Sequence, residues 1–147
     1  MIVADVNVLL AAHFESHPHH SQAHPWLVRA LANDGDPVVV PDLVWVGFVR
    51  LATNPRVFDP PSTLTEAMAF VSAVLGAPGY QSMPGLLDGV GQFLAVCRSA
   101  LVPSRLVTDA YIAAVAIAHA CPVATFDRDF RRFDGLDTII PTADRAR

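Results

Sequence analysis

The residues in this sequence best suited to chemistry are aspartates at strand ends. "MIVADVNVLL" opens the chain, with Asp5 closing an apolar run two residues before Asn7. An isolated buried carboxylate is costly, so an acid at the end of a hydrophobic strand needs partners. Asp109 starts "DAYIAAVAIAHA", and Asp127 and Asp129 stand in "DRDF", directly after "PVATF". Each has an ordinary reading when taken alone. Asp109 suits the positive end of a helix dipole. "DRDF" suits a solvated turn, and Asn7 suits a helix cap. Gathered at one edge of a sheet, several Asp side chains repel unless a cation joins them. Hard oxygen donors with open water positions suit Mg²⁺ or Mn²⁺. Such an ion lowers the pKa of a bound water and neutralises charge on a phosphodiester. Asp127 or Asp129 could hold a second ion or orient the attacking water.

Positioning these acids requires strands alternating with helices. "MIVADV" reads as a short buried strand, "NVLLAAHF" as the start of a helix, and "HSQAHPWLVRALAND" as a helix ending in the turn "NDGDP". The β-branched run "PVVVP" is a second strand. "DLVWVGFVRLAT" follows as a helix with Asp42 at its N-cap. Thr63 and Glu66 form a capping box ahead of "AMAFVSAVL". "YQSM" reads as a weak strand and "LLDGVGQFLAVCRSA" as a helix weakened by Gly89 and Gly91. "TDAYIAAVAIAHA" is the most hydrophobic helix, "PVATF" a further strand, and "DTII" a last edge strand, with a frayed tail. This alternation predicts an α/β domain with a mostly parallel sheet and helices on both faces. Its active site would lie beyond the carboxyl ends of the strands. With 147 residues, 52% of them hydrophobic, the chain fits one domain, 1–147. No apolar run is long enough for a membrane span. The N-terminus lacks the basic region of a signal peptide, so a soluble cytoplasmic protein is expected. Cys97 and Cys121 read as buried, reduced thiols.

Charge narrows the chemistry further. All ten basic residues are Arg, and twelve of the fourteen acids are Asp. The net charge of −4 argues against broad electrostatic binding to nucleic acid, though not against a metal-bridged substrate. The main rival enzyme is a phosphatase of the haloacid-dehalogenase kind, which would form an aspartyl phosphate on Asp5. That chemistry leans on a Lys, and the chain has none. The same lack disfavours a receiver domain and a P-loop NTPase. A second rival is a partner-binding protein that keeps the fold without the chemistry.

"MIVADVNVLLAA", "DAYIAAVAIAHACPVATFDRDFRRF" and their order resemble the PIN-domain ribonuclease family, most closely the VapC-type toxins of toxin–antitoxin pairs. "VPDLVWVGFVRLATNPRVFDPP" is similar to a subgroup common in mycobacteria. The resemblance spans nearly the whole chain. It implies a three-layer α/β/α fold with a central, mostly parallel sheet, and Mg²⁺-dependent cleavage of RNA. It also implies inhibition by a VapB-type antitoxin, and a homodimer. Residue by residue, it places the catalytic acids at Asp5, Asp109, Asp127 and Asp129. The metal falls to Asp5, Asp109 and Asp127, with Mg²⁺ as cofactor and Mn²⁺ as a substitute. Thr125 or Asn7 would provide supporting hydrogen bonds. One position departs from the family: Gly47 stands where many members carry a Glu. Asp42, more than a helical turn earlier, is not a ready replacement.

Other residues invite weighing. Five of the six His lie in "HFESHPHHSQAH". His13 and His17, and His20 and His24, are spaced as helical zinc pairs, yet Pro18 interrupts the first and no Cys joins them. A solvated, slightly pH-sensitive surface is expected. The resemblance sets this segment near the partner-binding or RNA-facing side. Arg50, Arg98, Arg105, Arg128, Arg131 and Arg132 read as surface charge, with "RDFRRF" the best candidate for phosphate contact. Trp45 and Phe48 read as core aromatics, or alternatively as part of an antitoxin or dimer surface.

Overall fold

The computed structural model describes residues 1–32, 35–83 and 90–143. Among the described residues four short strands, β1 (Ile2–Ala4), β2 (Val38–Val39), β3 (Val123–Ala124) and β4 (Thr138–Ile139), form one parallel sheet in the order β2-β1-β3-β4. Around it run α1 (Val6–His13), α2 (His20–Leu31), α3 (Asp42–Ala52), α4 (Leu64–Leu75), α5 (Gly91–Ser99) and α6 (Val107–Ala118). Two 3₁₀ turns, Ser104–Leu106 and Arg128–Arg132, precede α6 and follow β3.

The strand order has a direct consequence. Chain travel goes from β1 outward to β2, then back past β1 to β3, then outward to β4 on the other side. Right-handed crossovers therefore put helices on both faces of the sheet, giving the three-layer α/β/α architecture. Neighbours β1 and β3 send the chain in opposite directions, so the topological switch point lies between them. Val3 pairs with both Val39 and Val123, and Ala4 pairs with Ala124.

Burial follows from this layering. Val3, Ala4, Val38, Val39, Val123 and Ala124 are fully buried, as strands covered on both faces require. In α6 every residue from Ile112 to Ala116 is buried, which matches its unbroken apolar sequence. Phe48 is fully buried, while Trp45 is half-buried with no hydrogen-bond partner on its indole N–H among the described residues. The capping box is present: Thr63 Oγ1 accepts from Glu66 N, and Glu66 Oε2 accepts from Thr63 N. Cys121 is buried and Cys97 half-buried, and both are free thiols. No helix among the described residues is long and apolar enough to cross a membrane.

Several sequence expectations need correction. Asp42 is the first residue inside α3, and Pro41 takes the N-cap. "YQSM" contributes one bridge, Tyr80 to Val38, rather than a strand. "DRDF" is a turn that continues into the 3₁₀ segment, capped by Asp127. Residues 33–34 of the turn "NDGDP", 86–89 of the expected helix "LLDGVGQFLAVCRSA" and 144–147 of the tail lie outside the described residues.

The His-rich segment also behaves differently from a merely solvated surface. His20 Nδ1 donates to Ala11 O at 2.9 Å, and His24 Nδ1 donates to Ala12 O at 3.1 Å. A carbonyl only accepts, so Nδ1 carries the proton in both rings. These carbonyls belong to the last turn of α1, where the helix leaves them without internal partners. The two rings stack at 5.0 Å and lock α2 onto α1. His13 lies edge-on against Phe14, Phe48 and Phe70, with Nε2 2.7 Å from Ser62 Oγ. Burial holds its pKa below the ordinary histidine value, and the Glu66 carboxylate opposes this only in part.

A lowered folded pKa means that the unfolded chain takes up this proton first as pH falls. His13 therefore subtracts stability on acidification through the ordinary histidine range, and nothing above it. Urea unfolding between pH 7 and pH 5 should show a smaller loss of stability in His13→Gln than in the unaltered protein. An identical pH response would show that His13 is not held neutral by its surroundings.

Candidate active site

The site is assembled where β1 passes into α1. Asp5 is extended (φ −79°, ψ 157°) and caps α1, its Oδ1 accepting from Val6 N at 2.6 Å. The cap is thus Asp5 itself, and Asn7 sits inside the first turn with a different task. Asn7 Nδ2 donates to Asp5 Oδ2 at 2.6 Å and to Thr125 Oγ1 at 2.9 Å. Its Oδ1 accepts from Phe126 N at 3.2 Å. Thr125 Oγ1 in turn donates to Asp5 Oδ2 at 2.8 Å and accepts from Asp127 N at 3.0 Å. The backbone ladder reaches the same point, with Asp5 N donating to Ala124 O at 3.1 Å. Thus the buried acid, its neighbour two residues on, and the end of β3 form one network across the switch point. Asp5 and Thr125 are each only 2% exposed.

Electrostatics bring in the remaining acids. Burial pushes the Asp5 carboxyl up to about 7, and the charges of Asp109 and Asp127 add to that rise. The Thr125 hydroxyl and the Val6 N–H offset part of it. Asp109, half-buried in the first turn of α6, is also raised, first by burial and then by Asp127 and Asp129. Asp129 goes the other way: Arg105 Nη1 donates to its Oδ2 at 2.7 Å and holds it below the usual carboxylate range. Asp127 Oδ1 accepts from Asp129 N at 2.8 Å, which fixes the turn.

Asp5, Asp109, Asp127 and Asp129 are therefore electrostatic neighbours at one edge of the sheet. They are not a closed cage: among the described residues no three His, Cys, Asp or Glu side chains are already gathered around one point. Their chemistry nonetheless fits a hard divalent ion. The donors are carboxylates, two of them raised first by burial and then by neighbouring acids, a repulsion that a cation would relieve. Asp5 Oδ2 is filled by two hydrogen bonds, while Oδ1 takes one and keeps a lone pair.

Asp42 is exposed and takes no part in this network. Gly47 lies beside it: a Cβ built there would meet Val6 Cγ2 at 3.7 Å, which is ordinary contact. Two features were not legible in the sequence. Arg105 looked like scattered surface charge, yet it is the counter-ion of Asp129, 24 residues away. His19 stacks on Phe126, with centroids 4.3 Å apart and planes 8° from parallel. No spacing rule links residues so far apart in sequence.

A PIN-domain family profile matches residues 2–136. Ribonuclease VapC31 of Mycobacterium tuberculosis is 45% identical over 142 residues, covering 96% of this chain and 99% of that protein. Ribonuclease VapC25 of the same organism is 44% identical with the same coverage. Among solved structures, VapBC2 from Rickettsia felis, bound to a DNA fragment from its promoter, aligns with a TM-score of 0.67. It is 13% identical and covers 95% of this chain and 98% of that one, which shows the shared fold. The chain belongs to the PIN-domain family, and within it to the VapC group.

The Asp5 environment gives a pH signature. The folded protein keeps this proton up to about pH 7, while the unfolded chain releases it near 3.8. Between those values the native state binds more protons, so the Asp5 contribution to stability falls as pH rises and levels off above 7. Across the window the change is about 4 kcal/mol at most. Denaturant titrations of metal-free protein at pH 5 and pH 8 should show the part of this loss above pH 5, about 3 kcal/mol at most, in the unaltered chain and its absence in Asp5→Asn. A parallel response of the two proteins would mean that Asp5 ionises normally.

Proposed function

We propose that this chain is a Mg²⁺-dependent endoribonuclease, the cytoplasmic toxin of a toxin–antitoxin pair, restrained by a VapB-type antitoxin. The observation that carries the reading is the buried Asp5 carboxyl at the switch point, with Asp109 and Asp127 close enough to raise its pKa. The ribonuclease names of relatives at 44–45% identity support the reaction class. The VapBC2 assembly with the same fold supports an antitoxin partner. Homodimerisation belongs to the same reading. α3 and α4 carry an apolar hollow of about 490 Å³ lined by Trp45, Val46, Val49, Arg50 and Val71, a surface of the kind protein partners cover.

In this reading Asp5, Asp109 and Asp127 would hold Mg²⁺, or Mn²⁺ in its place. The ion supplies a bound water of lowered pKa and neutralises charge on the phosphodiester. The rest is done by the chain. Asn7 and Thr125 fix the Asp5 carboxylate by hydrogen bonds, so that its free lone pair on Oδ1 is presented without reorganisation. Asp129, kept ionised by Arg105, orients the attacking water. The Arg105 guanidinium, exposed at the rim, offers N–H donors to a phosphate oxygen. A second reading draws on Gly47 and on the absence of a closed cage among the described residues: a catalytically weak PIN-fold protein whose work is partner binding.

Incubating purified protein with RNA separates the two. Cleavage should require Mg²⁺, stop with EDTA, and fall to background in Asp5→Asn and Asp109→Asn. Thr125→Val should lose about 10–100-fold, the usual cost of removing a hydrogen bond behind a metal ligand. Cleavage that persists in EDTA and in Asp5→Asn would remove the metal-nuclease reading; folded protein with no cleavage under any condition would favour the partner-binding one.

Gly47 supplies an independent check. Gly47→Ala should stabilise α3 by roughly 0.5–1 kcal/mol. Gly47→Glu should enlarge the rise in melting temperature caused by millimolar Mg²⁺, compared with Gly47→Ala. An equal Mg²⁺ response in both variants would place position 47 outside the metal's reach.

A further inference from the structure

We propose that the cavity beside the carboxylates is a nucleobase site, in which an unpaired base of the RNA stacks against His19. The inference rests on the ribonuclease reading above and deepens it. The cavity measures about 590 Å³ and is lined by Asn7, His17, Pro18, His19, Phe126, Asp127 and Arg128. That volume falls within the range of small-molecule sites, roughly 300–1,000 Å³.

Its floor is built. The His19 ring lies parallel to Phe126 at 4.3 Å, and His19 is exposed. Phe126 is anchored by its backbone N–H, which donates to Asn7 Oδ1. The same Asn7 donates to Asp5 Oδ2, so the stack and the buried acid are fixed by one side chain. His19 is set from its own side as well: its backbone N–H donates to His17 Nδ1 at 3.1 Å. The neighbouring His20 and His24 pin the start of α2 to α1, so the segment carrying His19 is held at both ends.

Flat rings held parallel at a surface, next to an anionic centre, suit one substrate class. Single-stranded RNA is recognised by stacking its splayed bases on aromatic side chains, His included. Every base has a π-face, so such a platform binds without reading sequence by itself. Asp127 is shared between the cavity and the acid cluster, so a strand with its base on His19 has its adjoining phosphates beside the carboxylates. Arg128 at the rim supplies a cation for the backbone or a second plane for the base. On a chain of net charge −4, base stacking gives hold on a polyanion that bulk electrostatics do not.

The test uses a non-hydrolysable single-stranded oligonucleotide carrying one 2-aminopurine, moved along the strand position by position, with Mg²⁺ present. In the unaltered protein one position should show strong quenching on binding. His19→Ala should abolish that quenching and weaken binding about tenfold, while His19→Phe should restore both. A matched strand made abasic at that position should bind all three proteins equally weakly. Quenching and affinity unchanged in His19→Ala, or loss on the abasic strand as large as on the intact one, would overturn the proposal and assign the cavity to another occupant, such as a partner polypeptide. Failure of the ribonuclease reading is distinct, since it appears as no Mg²⁺-dependent RNA cleavage by the unaltered chain.

Discussion

Keeping one carboxyl group buried is the constraint on which the rest of this molecule depends. Asp5 sits at the end of a strand that is covered on both faces, and among the described residues no cationic side chain hydrogen-bonds to it. It is tolerated because three donors converge on it: a backbone N–H, an amide and a hydroxyl. The hydroxyl comes from 120 residues away and reaches Asp5 only because Ala4 is in register with Ala124. A slip of one residue would turn Thr125 to the opposite face and leave the acid short of a partner. Strand register and site geometry are therefore a single requirement, satisfied or lost together.

This coupling explains what the sequence revealed and what it concealed. The apolar runs, the capping box at Thr63 and the oddity of an acid closing a strand are local signals, and each marked its element. The order of the acids along the chain, combined with a parallel sheet, was enough to place them at one edge. Where the reading went astray, the deciding partner was remote. The spacing of His20 and His24 advertised a ligand pair or a wet surface. Their true partners are carbonyls left over at the end of α1, which no pattern in α2 announces. Arg105 was indistinguishable from its neighbours until folding set it against Asp129. Asp42 looked like a cap because Asp often is one, but Pro41 already holds the extended backbone that the position needs. Strands of two residues lie below the length at which alternation can be read at all.

Repulsion among the acids is the second theme. Burial raises Asp5 and Asp109, their acidic neighbours add to it, and Arg105 pairs with the outermost member, Asp129, while opposing the rise at Asp109 only in part. An exposed ion pair of that kind contributes little to stability. The cluster is therefore a cost within an otherwise well-packed α/β core, and strongly perturbed acids of this kind concentrate at functional sites. Gly47 belongs in this balance. A glutamate there would add a further negative charge beside Val6, next to an acid that already holds its proton to about pH 7. Leaving the position as glycine costs helix propensity in α3 but spares the apo protein that extra repulsion.

An acidic protein that acts on a polyanion has to obtain affinity from something other than its field. The proposed arrangement divides that task between two neighbouring surfaces joined by Asn7. One side of this amide steadies the carboxylate proposed to hold the cation; the other steadies the backbone of Phe126, the ring against which His19 is stacked. The distance between a base and its own phosphate is fixed by the nucleotide, so a protein that holds both must fix the separation of its two contacts equally well. A single side chain hydrogen-bonded to Asp5 and to the backbone of Phe126 beneath His19 does this with fewer adjustable torsions than two independent supports. That is a physical reason for an amide, with a donor and an acceptor on one rigid plane, to stand two residues after the buried acid.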